Sequence, residues 1–158
     1  QPARVVIDSQ LQVAVNAKLF ARDGADVIVV TGQDAPTAKA STLRDAGATV
    51  LTVATANGRV DLDALMTRLG ALAPSPIRSI LVEGGSGLGT ALLQADLIDE
   101  LRLFMAPMWI GSDGLGALGA LGVTHPDEAP RFIVDEIARH GEDIEVRLLR
   151  GEATCSQG

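Results

Sequence analysis

The chain has 158 residues, of which 47% are hydrophobic and 21% charged, a balance that excludes disordered, collagen-like and disulfide-stapled chains and predicts one globular domain. Its 13 basic and 20 acidic residues give a net charge of -7, which disfavours nucleic acid or an anionic membrane surface as a partner. The apolar runs are far shorter than a membrane span, and no basic-then-apolar signal segment opens the chain.

The first part of the chain alternates short apolar runs with a helical pattern. Residues 4–7 and 25–31 are apolar runs bounded by polar residues or glycine, which predict two buried strands. Residues 37–46 predict a helix that ends at Gly47, because glycine is common just after a helix C-terminus. The β-branched residues at 49–53 predict a third strand.

The middle of the chain repeats this alternation. Asn57 and Gly58 indicate a turn, and Asp61 is expected to cap a helix whose apolar residues follow at helical spacing. Residues 77–82 form another mostly apolar run, which predicts a further buried strand. A glycine-rich turn at residues 83–89 follows, and leucines at helical spacing predict the next helix.

The last third predicts strands of a different kind. Residues 101–106 and 108–110 are apolar and predict a strand broken at Pro107. In residues 131–137 and 144–149 apolar and polar side chains alternate on either side of a glycine-containing turn. These two segments predict a terminal antiparallel pair.

Strands that alternate with helices of about ten residues predict an α/β fold with a mostly parallel sheet and helices on both faces. Residues 1–150 are expected to form this domain, and residues 151–158 a polar tail. The tail contains Cys155, the single cysteine, which excludes an internal disulfide and fits a reducing cytoplasm.

Ligands of an open parallel sheet bind beyond the carboxyl ends of its strands, and this rule points to residues 8–9, 31–33, 83–89 and 107–116. Among these segments the glycine-rich turn is the most informative, since residues 83–90 read EGGSGLGT. Glycines let backbone N–H groups approach a ligand, and a helix N-terminus favours an anion. The turn is neither a Walker A loop nor a dinucleotide fingerprint. It either cradles a diphosphate or is a tight turn that needs glycine for packing only.

A literal G-x-G-x-x-G pattern occurs later in the chain, at Gly114, Gly116 and Gly119. Pro126 follows too soon for a crossover helix, and the glycines are spaced loosely. We therefore interpret this stretch as a loop and not as a nucleotide-binding fingerprint.

Few side chains in the sequence indicate catalysis. His125 and His140 lie apart beside turn residues without metal-ligand spacing, so we expect surface histidines and no metal. Asp99 and Glu100 are interpreted as a solvated end and not as a catalytic pair. Glu83 ends a predicted buried strand, where its carboxylate either caps the following amides or binds substrate hydroxyls or ring nitrogens. No residue is assigned a catalytic role.

Four segments together carry a family resemblance. They are RVVIDS (residues 4–9), NGRVDLDALM (57–66), ILVEGGSGLGTALLQADLIDELRLFMAP (80–107) and RHGEDIEVRLL (139–149). In this order and spacing they resemble the reductase domain of the bacterial bifunctional riboflavin biosynthesis protein, over almost all of the chain. The resemblance implies a dihydrofolate reductase-like fold. It also implies that NADPH reduces the ribosyl group of 5-amino-6-(5-phosphoribosylamino)uracil, a phosphorylated pyrimidine, to a ribityl group.

The resemblance also implies site residues. Glu83 matches a substrate-binding position, and Ser9 matches an NADP-binding position. Further NADP-binding positions are matched by Gly85, Ser86, Gly87, Leu88, Gly89, Thr90 and Ala91. Gly84 belongs to the same turn, and strand-end geometry adds Thr31, with Lys39 or Arg44 near a 2′-phosphate.

The sequence departs from the family pattern before its first strand. The family's reductase domain begins with a further strand, helix and loop ahead of RVVIDS, so we expect an N-terminally incomplete domain whose open sheet edge favours a homodimer. The His-x-Glu and Cys pair of the family's zinc deaminase domain are not in this sequence, so no deaminase activity is assigned. The alternatives are a noncatalytic nucleotide-binding module of the same fold and a reductase of another heterocyclic substrate.

Overall fold

The structure, a computed structural model, describes residues 1–21 and 24–151. The chain forms two compact units, the first ending at Ile80 and the second beginning at Leu81. Most of the predicted polar tail, including Cys155, lies outside the described residues. Within the described ranges, no helix combines the length and the hydropathy that crossing a membrane requires.

The first unit is built on a three-stranded parallel sheet with the strand order β1-β2-β3. The strands of the first unit are β1 (Arg4–Ile7), β2 (Val27–Thr31), β3 (Thr49–Thr52), β4 (Thr55–Ala56) and β5 (Arg59–Val60). Its helices are α1 (Thr37–Asp45) and α2 (Leu62–Gly70), and a 3-10 turn lies at Lys18–Phe20. The short strands β4 and β5 form a separate antiparallel hairpin, whose turn residues Asn57 and Gly58 both have positive φ. The strands, helices and turn predicted for residues 1–70 are confirmed.

Both faces of the parallel sheet are covered, because side chains alternate between the two faces along a strand. Ile28 and Val30 of β2 are buried in one cluster with Leu65 of α2. Val29 is buried in a second cluster with Leu43 of α1. The two helices therefore lie on opposite faces of the sheet, as the alternation of strands and helices predicted.

The helix ends of this unit follow local sequence signals. Gly47 follows α1 with a φ of +99°, and the Ala48 N–H donates to the Leu43 carbonyl at 3.0 Å. Asp61 precedes α2, and its carboxylate accepts a hydrogen bond from the Ala64 N–H at 3.0 Å. Both ends confirm the sequence-based expectation.

The second unit is built on a three-stranded antiparallel sheet with the order β6-β8-β7. Its elements are α3 (Ser86–Gln94), β6 (Glu100–Met105), β7 (Phe132–His140) and β8 (Asp143–Arg150), with 3-10 turns at Gly111–Asp113 and Pro126–Glu128. The terminal antiparallel pair is confirmed as β7 and β8. The mixed α/β class is confirmed as well, and among the described residues the parallel pairing lies in the first unit.

Two predicted strands are wrong. Residues 77–82 and 108–110 have no strand assignment, and no described segment forms a ladder with either of them. Leu81 is 82% exposed and Trp109 is fully exposed. An apolar run is not sufficient for a buried strand, because its backbone N–H and C=O groups also need a neighbouring strand.

One face of the antiparallel sheet carries a connected set of ion pairs. Arg102 lies 2.7 Å from Glu100 and 2.8 Å from Glu145, and Arg147 lies 2.9 Å from Glu100. The hydrogen bond from Arg147, followed by that from Arg102, lowers the pKa of Glu100 from 4.5 to about 2. A hydrogen bond from His140, whose Nε2 lies 2.6 Å from Glu145, holds the pKa of that carboxyl below its usual value. Glu100 was interpreted as part of a solvated end, and it is exposed, yet it also lies at the centre of this set of ion pairs.

Glu100→Gln is expected to reduce the acid sensitivity of the second unit. A carboxylate with a lowered pKa stabilises the fold above its unfolded pKa of 4.5, and this contribution is lost as the pH falls from 4.5 towards 2. The variant should be less stable than the wild type at neutral pH, and the difference should shrink over that pH range. Urea unfolding followed by circular dichroism measures the free energy of unfolding of the variant and of the wild type at each pH. Glu142→Gln, which replaces an exposed acid, is the control. A stability difference between variant and wild type that stays the same from pH 4.5 to pH 2 would contradict this role of Glu100.

Candidate functional site

A cavity of about 310 Å³ opens in the first unit, next to the carboxyl ends of β1 and β2. The residues that line it come from these strand ends, from the segment before α1 and from the β4-β5 hairpin. They are Ser9, Gln10, Gly32, Asp34, Pro36, Thr55 and Gly58. This is the edge of a parallel sheet at which ligands bind in open α/β folds.

The two strand ends are joined by hydrogen bonds to one carbonyl. The Ser9 carbonyl accepts from the Thr31 hydroxyl at 3.1 Å and from the Gly32 N–H at 3.2 Å. The structure thus brings together Ser9 and Thr31, both expected to contact a cofactor. Ser9 lines the cavity, whereas the Thr31 side chain is 2% exposed and is not among the lining residues. The Thr31 hydroxyl therefore connects the end of β2 to the segment after β1, beside the cavity.

Gly32 allows the hairpin to approach the end of β2. A Cβ at this position would lie 2.6 Å from Cγ2 of Thr55 and 3.3 Å from the Ser9 carbonyl oxygen. Contacts below 3.0 Å require a neighbouring group to shift, and the Thr55 side chain is β-branched and stiff. The floor of the cavity therefore depends on the absence of a side chain at Gly32.

The glycine-rich turn lies in the second unit, directly before α3. Gly84 and Gly85 have φ values of +117° and +77°, a region that residues with a Cβ rarely adopt. A Cβ at either glycine would meet no atom within 4 Å, so this backbone is open on its outer side. The helix-type hydrogen bonds begin with the Gly89 N–H, which donates to the Gly85 carbonyl at 3.1 Å. The preceding N–H groups of Ser86, Gly87 and Leu88 make no such bond, as is usual in the first turn of a helix.

Thr90 connects this helix to the later glycine-rich loop. Thr90 is 8% exposed, and its hydroxyl donates to the Ser86 carbonyl at 2.5 Å and accepts from the Gly119 N–H at 2.7 Å. Gln94 adds side-chain hydrogen bonds to the loop carbonyls of Ala120 and Leu121. Both hydrogen-bonding functions of the Thr90 hydroxyl are thus engaged within the protein, and Ala91, which follows it, is half-buried. No sequence signal pointed to this connection.

The later glycine-rich loop does not form a nucleotide-binding fingerprint. Beyond the 3-10 turn at Gly111–Asp113, residues 114–125 contain no helix or strand. The interpretation of this stretch as a loop is confirmed.

Glu83 is exposed and lies in an irregular segment, not at the end of a buried strand as expected. Residues 77–82 do not form the predicted strand, so Glu83 does not follow a strand. Among the described residues nothing donates a hydrogen bond to the Glu83 carboxylate. Gly85 is the N-cap residue of α3, and no side-chain hydrogen bond caps this end of the helix. Of the two roles considered for Glu83, capping the following amides is therefore not observed.

No group of three or more His, Cys, Asp or Glu side chains capable of holding a metal ion occurs within residues 1–21 and 24–151. His125 is exposed beside the 3-10 turn at Pro126–Glu128, and His140 is paired with Glu145. The two histidines thus lie at separate places on the surface of the second unit.

Sequence reasoning missed most of the cavity lining. Ser9 and Gly32 lie in segments that strand-end geometry singled out, but Asp34, Thr55 and Gly58 were not considered as site residues. The Asn-Gly turn was recognised, yet nothing local indicated that its hairpin would reach the end of β2. That approach is a long-range packing contact between Gly32 and Thr55.

Comparison with known proteins identifies the family of the chain. A family model described as the RibD C-terminal domain matches residues 1–146. Riboflavin biosynthesis protein RibD of Escherichia coli is 36% identical over 151 residues, which are 94% of this chain and 38% of that protein. A 2,5-diamino-6-ribosylamino-4(3H)-pyrimidinone 5′-phosphate reductase of Methanothermobacter thermautotrophicus is 30% identical over 144 residues, which are 90% of this chain and 63% of that protein.

Solved structures show the same fold. RibD of Acinetobacter baumannii matches 96% of this chain with a TM-score of 0.74 at 24% identity, and the match covers 38% of that chain. A pyrimidine reductase-like protein of Corynebacterium diphtheriae matches 96% of this chain with a TM-score of 0.73 at 20% identity, and the match covers 62% of that chain. The chain thus spans less than two thirds of each of these relatives. By the match over residues 1–146, it belongs to the family of the RibD C-terminal domain.

Proposed function

We propose that this chain is a reductase domain of riboflavin biosynthesis. In this proposal a hydride from a nicotinamide dinucleotide, with NADPH as the donor that the family resemblance implies, reduces the ribosyl group of 5-amino-6-(5-phosphoribosylamino)uracil to a ribityl group. The relative from Methanothermobacter thermautotrophicus, which carries a pyrimidinone phosphate reductase name, supports this reaction class.

The observation that carries the proposal is the open glycine turn before α3. The N–H groups of Ser86, Gly87 and Leu88 precede the first helical hydrogen bond, and the positive end of the helix dipole lies at the same place. Open backbone at Gly84 and Gly85 lets a diphosphate come close to these donors. The net charge of -7 makes such a local anion site necessary, because the overall field repels phosphates.

The bound dinucleotide supplies the hydride, and the chain has to supply binding and orientation. Reduction of an open-chain sugar needs its carbonyl carbon at near-contact distance from the nicotinamide, together with one proton that water or a substrate hydroxyl can deliver. A dedicated acid is therefore not required. In this proposal the exposed Glu83 carboxylate accepts hydrogen bonds from the substrate.

Glu83→Gln is expected to raise the KM for the pyrimidine substrate or to lower kcat, while the Kd for NADPH stays nearly unchanged. The substitution keeps the shape of the side chain and removes the charge that would strengthen a hydrogen bond to the substrate. Steady-state oxidation of NADPH with the phosphoribosylaminouracil, beside a separate NADPH titration, measures the two effects. Glu142→Gln, an exposed acid in the turn before β8, is the matched control.

The same assay decides between the proposal and its alternatives. A folded chain that binds NADPH but turns over no substrate would be a noncatalytic nucleotide-binding module. Turnover restricted to a different heterocycle would indicate another reductase of the same fold. An equal loss of NADPH affinity in the Glu83 variant would place Glu83 in the cofactor site.

A further inference from the structure

The glycine-rich loop of residues 111–122 lies along one face of α3. Ser86, Thr90 and Gln94 follow one another at intervals of four residues, which places them on the same face of the helix. The Thr90 hydroxyl and the Gln94 amide on this face hydrogen-bond to loop residues between Gly119 and Leu121. Loop and helix both belong to the second unit. The loop is therefore attached to the helix that follows the glycine turn.

The glycines of the literal G-x-G-x-x-G pattern make this loop compact. A Cβ at Gly114 or Gly116 would lie 3.0 Å from an atom of the same part of the chain. A Cβ at Gly119 would lie 3.4 Å from the Thr90 hydroxyl oxygen. Contacts of 3.0–3.4 Å are tighter than nine in ten of those that real Cβ atoms make. These glycines thus serve close packing of the loop upon itself and upon α3.

Thr90 is the buried link between the loop and the first turn of α3. Its hydroxyl donates to the Ser86 carbonyl at 2.5 Å and accepts from the Gly119 N–H at 2.7 Å, so one oxygen atom joins the two segments. Thr90 is 8% exposed, so water does not readily replace a hydroxyl removed from this position. Gln94 is exposed, and its hydrogen bonds of 3.3 and 3.4 Å to the loop are longer. The position of the loop therefore depends mainly on Thr90.

The loop reaches the helix end at which the diphosphate is proposed to bind. A Cβ built at Gly89 would lie 3.5 Å from Cδ2 of Leu118, which is ordinary van der Waals contact. Leu118 thus covers the backbone directly after residues 86–88, whose N–H groups precede the first helical hydrogen bond. The backbone at Gly84 and Gly85 stays open. The loop therefore covers one side of the first turn of α3 and leaves the approach over the glycine turn free.

We propose that residues 111–122 form a wall of the dinucleotide site and that Thr90 positions this wall. The Thr90 hydroxyl donates its proton to Ser86 and already accepts from Gly119, so it acts through the loop and not as a ligand of the cofactor. Cofactor binding at the first turn of α3 and the order of the loop are then coupled, each favouring the other. The inference rests on the proposed function for the identity of the ligand as a nicotinamide dinucleotide. It goes beyond that function because it gives a role to the loop and to this hydroxyl.

Thr90→Val removes the hydroxyl, nearly keeps the shape of the side chain, and should raise the Kd for NADPH about tenfold in a fluorescence titration. Thr90→Ser keeps the hydroxyl and should bind NADPH within about twofold of the wild type. Thr42→Val is the matched control and should leave the Kd unchanged. The Thr42 hydroxyl also donates to the carbonyl four residues earlier, that of Ala38 at 3.0 Å, but it lies in α1 of the first unit.

Hydrogen exchange followed by mass spectrometry separates this positioning role from a merely structural one. In the wild-type chain NADPH should slow the exchange of the peptide that covers residues 114–122. Thr90→Val should speed the exchange of this peptide in the free chain and reduce the effect of NADPH on it. Gln94→Leu removes exposed contacts at little risk to folding, and it should change both readouts in the same direction with a Kd about threefold higher.

Thermal unfolding verifies that each variant is folded, and Gln94→Leu carries the test if Thr90→Val does not fold. A merely structural Thr90 would lower thermal stability without changing the Kd of the folded chain. That result overturns the proposal, as do a wild type that binds no NADPH, loop exchange that NADPH leaves unchanged, and a Thr90→Ser chain that binds as weakly as Thr90→Val. Failure of the reductase proposal would show separately, as NADPH binding coupled to the loop without turnover of the pyrimidine.

Discussion

A Gly85→Val variant is expected to bind NADPH at least tenfold more weakly than the wild-type chain, a loss of about 1.4 kcal/mol. Gly85 has a φ of +77° and a ψ of +116°, a backbone conformation outside the regions that a residue with a Cβ ordinarily adopts. Since a Cβ there would meet no atom within 4 Å, the fold should survive the substitution. The branched side chain would instead reorient the turn or occupy the open space in which the diphosphate approaches the N–H groups of α3.

Gly47→Val is the matched control for this substitution. Gly47 also has a positive φ, of +99°, and open space around its Cβ position, but it follows α1 in the first unit. Both variants should lose thermal stability, whereas only Gly85→Val should lose cofactor affinity in a fluorescence titration of NADPH. Unchanged affinity of a folded Gly85→Val chain would remove the glycine turn from the cofactor site.

Gly32→Ala is expected to destabilise the first unit by about 1–3 kcal/mol, which is typical of an added group in a tightly packed place. The new methyl group would lie 2.6 Å from Cγ2 of Thr55 and 3.3 Å from the Ser9 carbonyl oxygen. Relief requires the hairpin to move away from the end of β2. Urea unfolding followed by circular dichroism measures the loss of stability.

Thr55→Ser tests the cause of that destabilisation, because it removes Cγ2 and keeps the hydroxyl group. The Gly32→Ala/Thr55→Ser double variant should recover much of the lost stability, so that the two substitutions are strongly non-additive in a double-mutant cycle. Gly70→Ala, in a helix and without a neighbouring atom within 4 Å, serves as the control for an added methyl group. Purely additive effects would mean that the hairpin does not pack against Gly32 in solution.

The glycine turn and Glu83 make the reductase proposal testable in separate parts. The turn is probed by diphosphate-containing ligands, and Glu83 is probed by the KM for the pyrimidine. A failure of one part therefore identifies the residue whose role has to be revised.

Local sequence signals were sufficient to predict the structure wherever the deciding contacts join residues that are close together in the sequence. Gly47 and Asp61 end and begin helices through contacts within one turn, and the Asn57-Gly58 turn needs only its own backbone conformation. The glycine turn and the helix after it were recognisable for the same reason. The closing pair β7-β8 was also predictable, because β8 alternates in polarity and a tight turn joins the two strands.

The tertiary structure decided what depends on partners distant in sequence. Residues 77–82 have the composition of a buried strand, but pairing is a property of two segments, and the described chain offers them no ladder partner. Glu100 is exposed, as the sequence indicated, but its ion pair with Arg147 exists only because β6 pairs with β8. Asp34 likewise became part of a site only through folding, because the ends of β1 and β2 and the β4-β5 hairpin meet around it in space and not along the sequence.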